Sequence, residues 1–358
     1  MRIETASVAA CSLVLWLGAV ESGAACREAG TRDEQASVQW VRTGGLEDQA
    51  SLDGWCAAVG GPVFTAATPV ESGAVDALAV VSWNVHVGAG GVDRLVAELR
   101  AGDLTRGRPV DHFVLLLQEA VRVGQPVPGE LRTGAVSAQA IGAPSDPSTS
   151  IEAVAERTGL FGFYAPSMRN GAEHREDRGN AILSTLPLED PQAIELPYER
   201  QRRVAVSARV ALSPGDGAAT SLRVASVHLD NASQPSRFWR SFGAGRAHQV
   251  RALLDVFDGE EAIALGGDFN TWYGESEEEA IALLRPHFPW PPRLPAGPTY
   301  APPYGLPERQ VDYLLLRLPG GWAARYHVAP DKRDSDHAPL IGWLEVDARD
   351  LAASGGER

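Results

Sequence analysis

What the chain lacks narrows its function first. Of 32 basic side chains only Lys332 is a lysine, so nearly all positive charge is guanidinium, a pattern that compositional bias explains as well as phosphate recognition does. The formal net charge of −14 argues against a protein that grips nucleic acid through a broad basic face. A bound metal and a few local arginines can still hold one phosphate in such a protein. No Gly-x-x-x-x-Gly-Lys loop and no Gly-x-Ser-x-Gly elbow occurs, which sets aside nucleotide motors and elbow-type serine hydrolases. Cysteine is scarce, three in 358 residues, and no Cys/His cluster has zinc spacing. There is no internal repeat. The apolar stretch Val8–Val20 is thirteen residues, about 20 Å as a helix against a bilayer core of about 30 Å, too short to span. The mature chain is therefore expected to have no transmembrane helix.

That stretch reads instead as an export signal. Arg2 precedes it, offset by Glu4, and Ser22-Gly23-Ala24-Ala25 follows, the small-residue pattern a signal peptidase accepts. The expectation is a signal peptide over 1–25 and a periplasmic or secreted product; the competing reading is a buried core helix. Cys11 would leave with the signal, and Cys26 and Cys56 remain, an even pair suited to an oxidising compartment. Cys26 either pairs with Cys56, stays a free thiol, or is the lipidated first residue of a lipoprotein. Gly23 stands where lipoprotein signals usually have leucine.

Residues 26–76 are polar and weakly periodic and read as an N-terminal extension, a wrap or small subdomain. Residues 77–345 form the main domain, and 346–358 a C-terminal tail. Apolar runs of strand length are Leu78–Val85, Phe113–Gln118, Ala181–Ser184, Val204–Leu212, Leu222–Leu229, Ala262–Gly267, Val311–Leu316 and Leu340–Leu344. Helix-period stripes lie between them: Val92, Leu95, Val96 and Leu99; Ile151, Val154 and Ala155 behind a Ser150 cap and before Gly159; Ala247, Val250, Leu253, Leu254 and Phe257. Ser276 and Glu279 form a capping box for a helix ending near Leu284. The alternation predicts mixed α/β layers. Two stretches resist assignment: Arg122–Thr149, which reads as a mobile insertion, and proline-rich Arg285–Pro307, which reads as a substrate-facing loop or a stiff surface crossing.

Polar residues fit for catalysis recur where apolar runs end. Asn84 and His86 end one, Gln118-Glu119 another, then His228 with Asp230 and Asn231, then Asp268 and Asn270; Asp312 begins a run, and Ser335-Asp336-His337 precedes the last. One such residue would be a turn or cap. Six sets in one chain point to strand ends that converge. Carboxylates and carboxamides are hard oxygen ligands suited to Mg²⁺ or Mn²⁺, and no organic cofactor is called for. Phosphoester cleavage needs a cation on the non-bridging oxygens, an aligned water and proton transfer, which this set supplies.

The blocks Ser-Trp-Asn (82–84), Leu-Gln-Glu (117–119), Arg-Gly-Asn-Ala-Ile-Leu-Ser (178–184), Val-His-Leu-Asp (227–230), Gly-Asp-Phe-Asn (267–270), Val-Asp-Tyr (311–313) and Ser-Asp-His (335–337) resemble, in order, those of the endonuclease/exonuclease/phosphatase superfamily, which includes deoxyribonuclease I. The resemblance implies a four-layer α/β/β/α sandwich with the site at one edge of two sheets. It implies Glu119 as the main metal carboxylate with Asn84 and Asp336, Asp268 and Asn270 aligning water and holding phosphate, and His337 oriented by Asp312. His228 would contact the phosphate or protonate the leaving oxygen, with Asp177 as its partner, and Arg178 and Asn180 would touch phosphate. Tyr164 is a core aromatic on this reading. His86 and His228 replace an aspartate and an asparagine of abasic-site endonucleases, which moves the reading away from base-excision repair. The expected activity is that of an exported endo- or exonuclease hydrolysing phosphodiester bonds, with nucleic acid as substrate and no stable protein partner implied. The alternatives are a lipid or sugar-phosphate phosphoesterase, for which Trp272, Trp290, Tyr300 and Tyr304 are the candidate exposed aromatics, and a non-catalytic binding module.

Overall fold

The computed structural model describes residues 25–27, 37–68, 74–125, 127–129, 145–213, 219–231, 243–271, 278–291, 297–302 and 306–346. The expected signal up to residue 24, the C-terminal tail beyond residue 346, Ser276, Trp272 and Tyr304 lie outside them. Among the described residues no helix is long and apolar enough to cross a membrane.

In chain order the strands are β1 Gln39–Arg42, β2 Val63–Thr65, β3 Ala77–Asn84, β4 Phe113–Val123, β5 Phe161–Arg169, β6 Glu176–Ser184, β7 Glu189–Glu195, β8 Val204–Leu212, β9 Thr220–His228, β10 Ile263–Asp268, β11 Asp312–Arg317, β12 Ala323–Val328 and β13 Leu340–Glu345. The helices are α1 Gln49–Cys56, α2 Val92–Ala101, α3 Ile151–Thr158, α4 Ala244–Val256 and α5 Glu279–Leu284. Seven strands form one sheet in the order β12-β13-β3-β4-β6-β5-β2, and six form the other, β1-β7-β8-β9-β10-β11.

Side chains alternate across a strand, so each sheet has two faces to bury. Val80, Val114, Leu116 and Ile182 of the first sheet meet Val206, Val224, Ala264 and Leu314 of the second in one core between the sheets. The intervening residues Val81, Leu115 and Leu117 turn outward onto Leu95 and Leu99 of α2 and Val154 of α3. On the far side Ile263, Leu265 and Leu315 meet Val250 and Leu253 of α4 and Ile281 of α5. This is the expected four-layer α/β/β/α sandwich. Strands buried on both faces read as continuous apolar runs, which is why β3, β4 and β10 stand out in sequence.

Several boundaries move. β4 continues through Arg122 and Val123, so the stretch read as an insertion begins inside a strand, where Arg122 is buried and donates to Asp177 at 3.1 Å from Nε. Ser150 occupies the N-cap of α3, yet its hydroxyl makes no capping bond; Gly159 does end the helix, with φ of 70°. Residues of the N-terminal extension contribute an edge strand to each sheet, β1 pairing with β7 and β2 with β5. Arg27 holds that segment down by donating to Glu195 and Asp53, each at 3.0 Å. Cys26 is disulfide-bonded to Cys56, with Cα atoms 5.4 Å apart, so of the three fates open to it the structure has the bridge.

At one end the inner faces change from apolar to polar. Gln118 Nε2 donates to Ser226 Oγ at 3.0 Å, and Ser226 Oγ donates to the Leu117 carbonyl at 2.9 Å, tying β4 to β9 across the gap. Gly266 lets the sheets approach there: a Cβ on it would lie 2.8 Å from both Leu116 Cδ1 and Ser82 Cβ. Gly266→Ala should therefore cost about 1–3 kcal/mol as overpacking, read by urea denaturation; an unchanged midpoint would show that the sheets part freely. The two cysteines should resist alkylation until reduced, and reduction should remove about 2–4 kcal/mol of stability.

Candidate active site

Register brings the polar ends together. Asp268 is the residue opposite His228 in the parallel β9–β10 pair and opposite Asp312 in the antiparallel β10–β11 pair. Three neighbouring strands thus present His228, Asp268 and Asp312 in one row. From the other sheet Asn84, opposite Gln118 at the end of β3, reaches across and donates from Nδ2 to Asp268 Oδ2 at 3.0 Å. Its Oδ1 accepts the His86 backbone N–H at 3.0 Å. The other Asp268 oxygen accepts the Asn270 N–H at 2.9 Å, and Asn270 Nδ2 donates to the Leu229 carbonyl at 3.0 Å.

His337 arrives on the loop before β13. The Ser335 hydroxyl donates to the Asn84 carbonyl at 2.7 Å and accepts the His337 N–H at 3.1 Å, while Trp83 Nε1 donates to the His337 carbonyl at 3.0 Å. The ring sits with Nδ1 2.7 Å from Asp312 Oδ2 and Nε2 3.9 Å from Asp268 Oδ2. Burial alone would favour the neutral imidazole; the Asp312 carboxylate outweighs it, assisted by Asp268 and Asp336, and pushes His337 up to about 10. Asp268 is pushed up to about 7, by burial first and then by Asp312. The pair thus couples an imidazolium to a carboxylate of near-neutral basicity. Tyr300 covers the His337 ring at 4.7 Å between centroids.

Glu119 occupies a bulge in β4, where the register slips between Leu117 and Ala120 and its own φ is 54°. A regular strand would send it outward with Leu117; the bulge brings it to the same recess as Arg178, Asn180 and His228. Asp336 Oδ1 lies 3.1 Å from His86 Nδ1 and 3.8 Å from His337 Nε2. Burial raises the Tyr300 hydroxyl above its ordinary range, and the charges of Asp336, Asp268 and Glu119 raise it further, so this one side chain feels three carboxylates. Such an array of hard oxygens, with Glu119 and Asp336 side chains 17% and 31% exposed, fits a divalent cation. Among the described residues Asp268, Asp312 and His337 place ligand-type atoms within 4.8 Å of one another. His337 Nδ1 is already engaged with Asp312, which favours that trio as a hydrogen-bonded relay.

His228 has a different setting from the one expected. Asp177 is not its partner: that carboxylate accepts from Arg122, from the Tyr164 hydroxyl at 2.8 Å and from the Gly60 N–H at 2.9 Å. Tyr164 is accordingly a core aromatic. His228 Nε2 instead lies 3.5 Å from Asp268 Oδ2. Burial, then Arg203, His337 and Arg178, depress it well below the usual imidazole range, so it is neutral. Arg178 and Asn180 do reach the site recess; Asn180 Nδ2 donates to the Val204 carbonyl at 2.7 Å. Trp290 does not: it bridges to Leu316, four residues along β11 from Asp312, and packs on the core between the sheets. Sequence reasoning gave Tyr300 only as an exposed aromatic, and it missed Arg203, which precedes β8 with no motif to mark it.

The model of the Endonuclease/Exonuclease/phosphatase family matches residues 81–337. No curated protein sequence matches the chain. Among solved structures, an endonuclease/exonuclease/phosphatase from Beutenbergia cavernae is similar at 21% identity and a TM-score of 0.50, over 76% of this chain and 72% of that one. The human nocturnin catalytic domain with bound sulfate follows at 18% identity and 0.44, over 79% and 96% of the two chains. A 3′ phosphatase from Neisseria bound to a product DNA hairpin is 18% identical at 0.41, over 75% and 99%. At these identities the likeness is one of fold, and the family match runs from the middle of β3 to His337, enclosing nearly every strand end that builds the site. The chain belongs to the endonuclease/exonuclease/phosphatase family.

Proposed function

We propose that this protein is an exported, divalent-metal-dependent phosphodiesterase that acts on nucleic acid. The observation that carries the reaction is the Asp312–His337 pair at 2.7 Å set against Asp268 at the end of three adjacent strands. Asp268, with a basicity near neutral, takes a proton from the attacking water, whose oxygen bonds to phosphorus as the bond to the leaving oxygen breaks. Asn270 Oδ1 helps align that water. His337, held as the imidazolium by Asp312, donates from Nε2 to the phosphoryl oxygen on which charge grows. Neutral His228 contacts the phosphate and is not the acid for the leaving oxygen, which takes its proton from solvent. Glu119 and Asp336, with Asn84 Oδ1, would hold Mg²⁺ or Mn²⁺, which when bound neutralises the phosphoryl oxygens and the departing charge.

Export is supported by the Cys26–Cys56 bridge, a bond characteristic of oxidising compartments. The lipid alternative loses support because Trp290, one of the aromatics it would use, is committed to the sheet core. A panel of plasmid DNA, RNA, sphingomyelin, inositol phosphates and bis(p-nitrophenyl) phosphate tests the substrate class.

Hydrolysis should vanish in EDTA and return with Mg²⁺ or Mn²⁺; full activity after exhaustive chelation would overturn the metal assignment. His337→Ala and Asp268→Asn should each lower kcat by about 10²–10⁴-fold with a smaller change in KM. Asp312→Asn should lose less, since it disorients His337 without removing it. Thermal melts beside the kinetics separate chemistry from folding, and an unchanged kcat in well-folded His337→Ala would falsify the site.

A further inference from the structure

Beside the reaction centre lies a recess that shares His228 and Glu119 with it and holds two arginines, Arg178 and Arg203, to which the hydrolysis gives no role. It is lined by Arg178, Asn180, Arg203, His228, Glu119 and Asn231, among others, and has a volume of about 30 Å³. One ordered water needs roughly 10–15 Å³ by that measure, so the space suits a group of a few oxygens. Arg178 and Arg203 are 8% and 4% exposed. Buried polar atoms almost always have hydrogen-bond partners, yet Arg178 Nε and Nη1 and Arg203 Nε have none among the described residues. The nearest acid to Arg178 is Glu119, 4.0 Å from Nη1 and beyond hydrogen-bond reach. Asp230 attracts Arg203, but its Oδ2 accepts the Arg200 and Gln201 backbone N–H groups at 3.0 and 3.2 Å.

Two guanidinium groups with unmet donors, taken out of water side by side, repel one another unless an anion joins them. Arg203 feels the charge of Arg178, and His228 feels both; His228 lines the recess while its Nε2 lies 3.5 Å from Asp268 Oδ2. The recess is thus separated from the His337–Asp268 centre by one imidazole.

We propose that Arg178 and Arg203 form a second anion subsite, which takes a phosphate adjoining the scissile one, so that the preferred substrate carries at least two phosphates. The placement of the scissile phosphate rests on the phosphodiesterase reading. A lone diester leaves the subsite without its anion, and a cationic headgroup is repelled by it. A terminal monoester or the next diester along a strand each supply the same chemistry.

The test uses the whole protein with Mg²⁺ or Mn²⁺ and four substrates: TpT, 5′-phosphorylated pTpT, 3′-phosphorylated TpTp, and TpTpT. At least one substrate with a second phosphate should exceed TpT in kcat/KM by about tenfold or more, a difference of about 1.4 kcal/mol. Preference for pTpT or TpTp over TpTpT identifies a terminal phosphate, and the reverse a neighbouring diester. Arg203→Gln should bring the ratio to within about twofold, and Arg203→Lys should keep part of it through charge alone. Calorimetry with inorganic phosphate gives a readout independent of turnover: wild type should bind, and Arg203→Gln should bind about tenfold more weakly. Should Arg203→Gln fail to fold, Arg178→Gln serves in both measurements. Arg203-dependent phosphate binding without any hydrolysis would sustain the subsite and sink the phosphodiesterase. Hydrolysis with equal kcat/KM on all four substrates, or phosphate binding indifferent to both arginines, would overturn the subsite and leave the phosphodiesterase standing.

Discussion

The site depends on one contact between sheets, the Asn84 amide on the Asp268 carboxylate at 3.0 Å. Two sheets packed through large apolar side chains stand about 10 Å apart, too far for short polar side chains to meet. Here small residues line the polar end: Gly266 faces Ser82 and Leu116, and Ser226 reaches the Leu117 carbonyl. Where the gap narrows, the polar side chains satisfy one another across it. Buried polar groups are costly unless paired, so the cross-sheet bonds both permit the site and fix its geometry.

Much of this is legible in the sequence because the period of a strand is two. Val80, Ser82 and Asn84 share the inner face of β3; Val224, Ser226 and His228 share that of β9; Ala264, Gly266 and Asp268 share that of β10. Each strand passes from apolar to small to functional along one face, and the residues beyond the apolar run are those the structure gathers. The loop carrying Asp336 and His337 was readable for a different reason: its hydrogen-bonding serine precedes it at fixed spacing.

What was not legible lacks that signature. β5, Phe161–Arg169, carries Pro166 at a register slip against β6, and β7 opens with Glu189, Asp190 and Pro191, so neither shows a clean run. β12 is an edge strand with no fully buried residue, and edges need no apolar pattern. Glu119 was found as a motif residue, but that it stands on a bulge with positive φ is a property of backbone and register. Arg122 and Arg203 resemble surface charges in sequence; only the fold shows that one is hydrogen-bonded to Asp177 and that the other is buried with its Nε lacking a hydrogen-bond partner among the described residues.

The edge strands β1 and β2 carry a consequence for the order in which the molecule is made. Segments 39–42 and 63–65 pair with β7 and β5, about 150 and about 100 residues later in synthesis. Contacts so distant along the chain form late and slowly. The edge at β2 cannot close until about residue 164 has emerged, nor that at β1 until about residue 195, so each sheet keeps one edge open through much of synthesis.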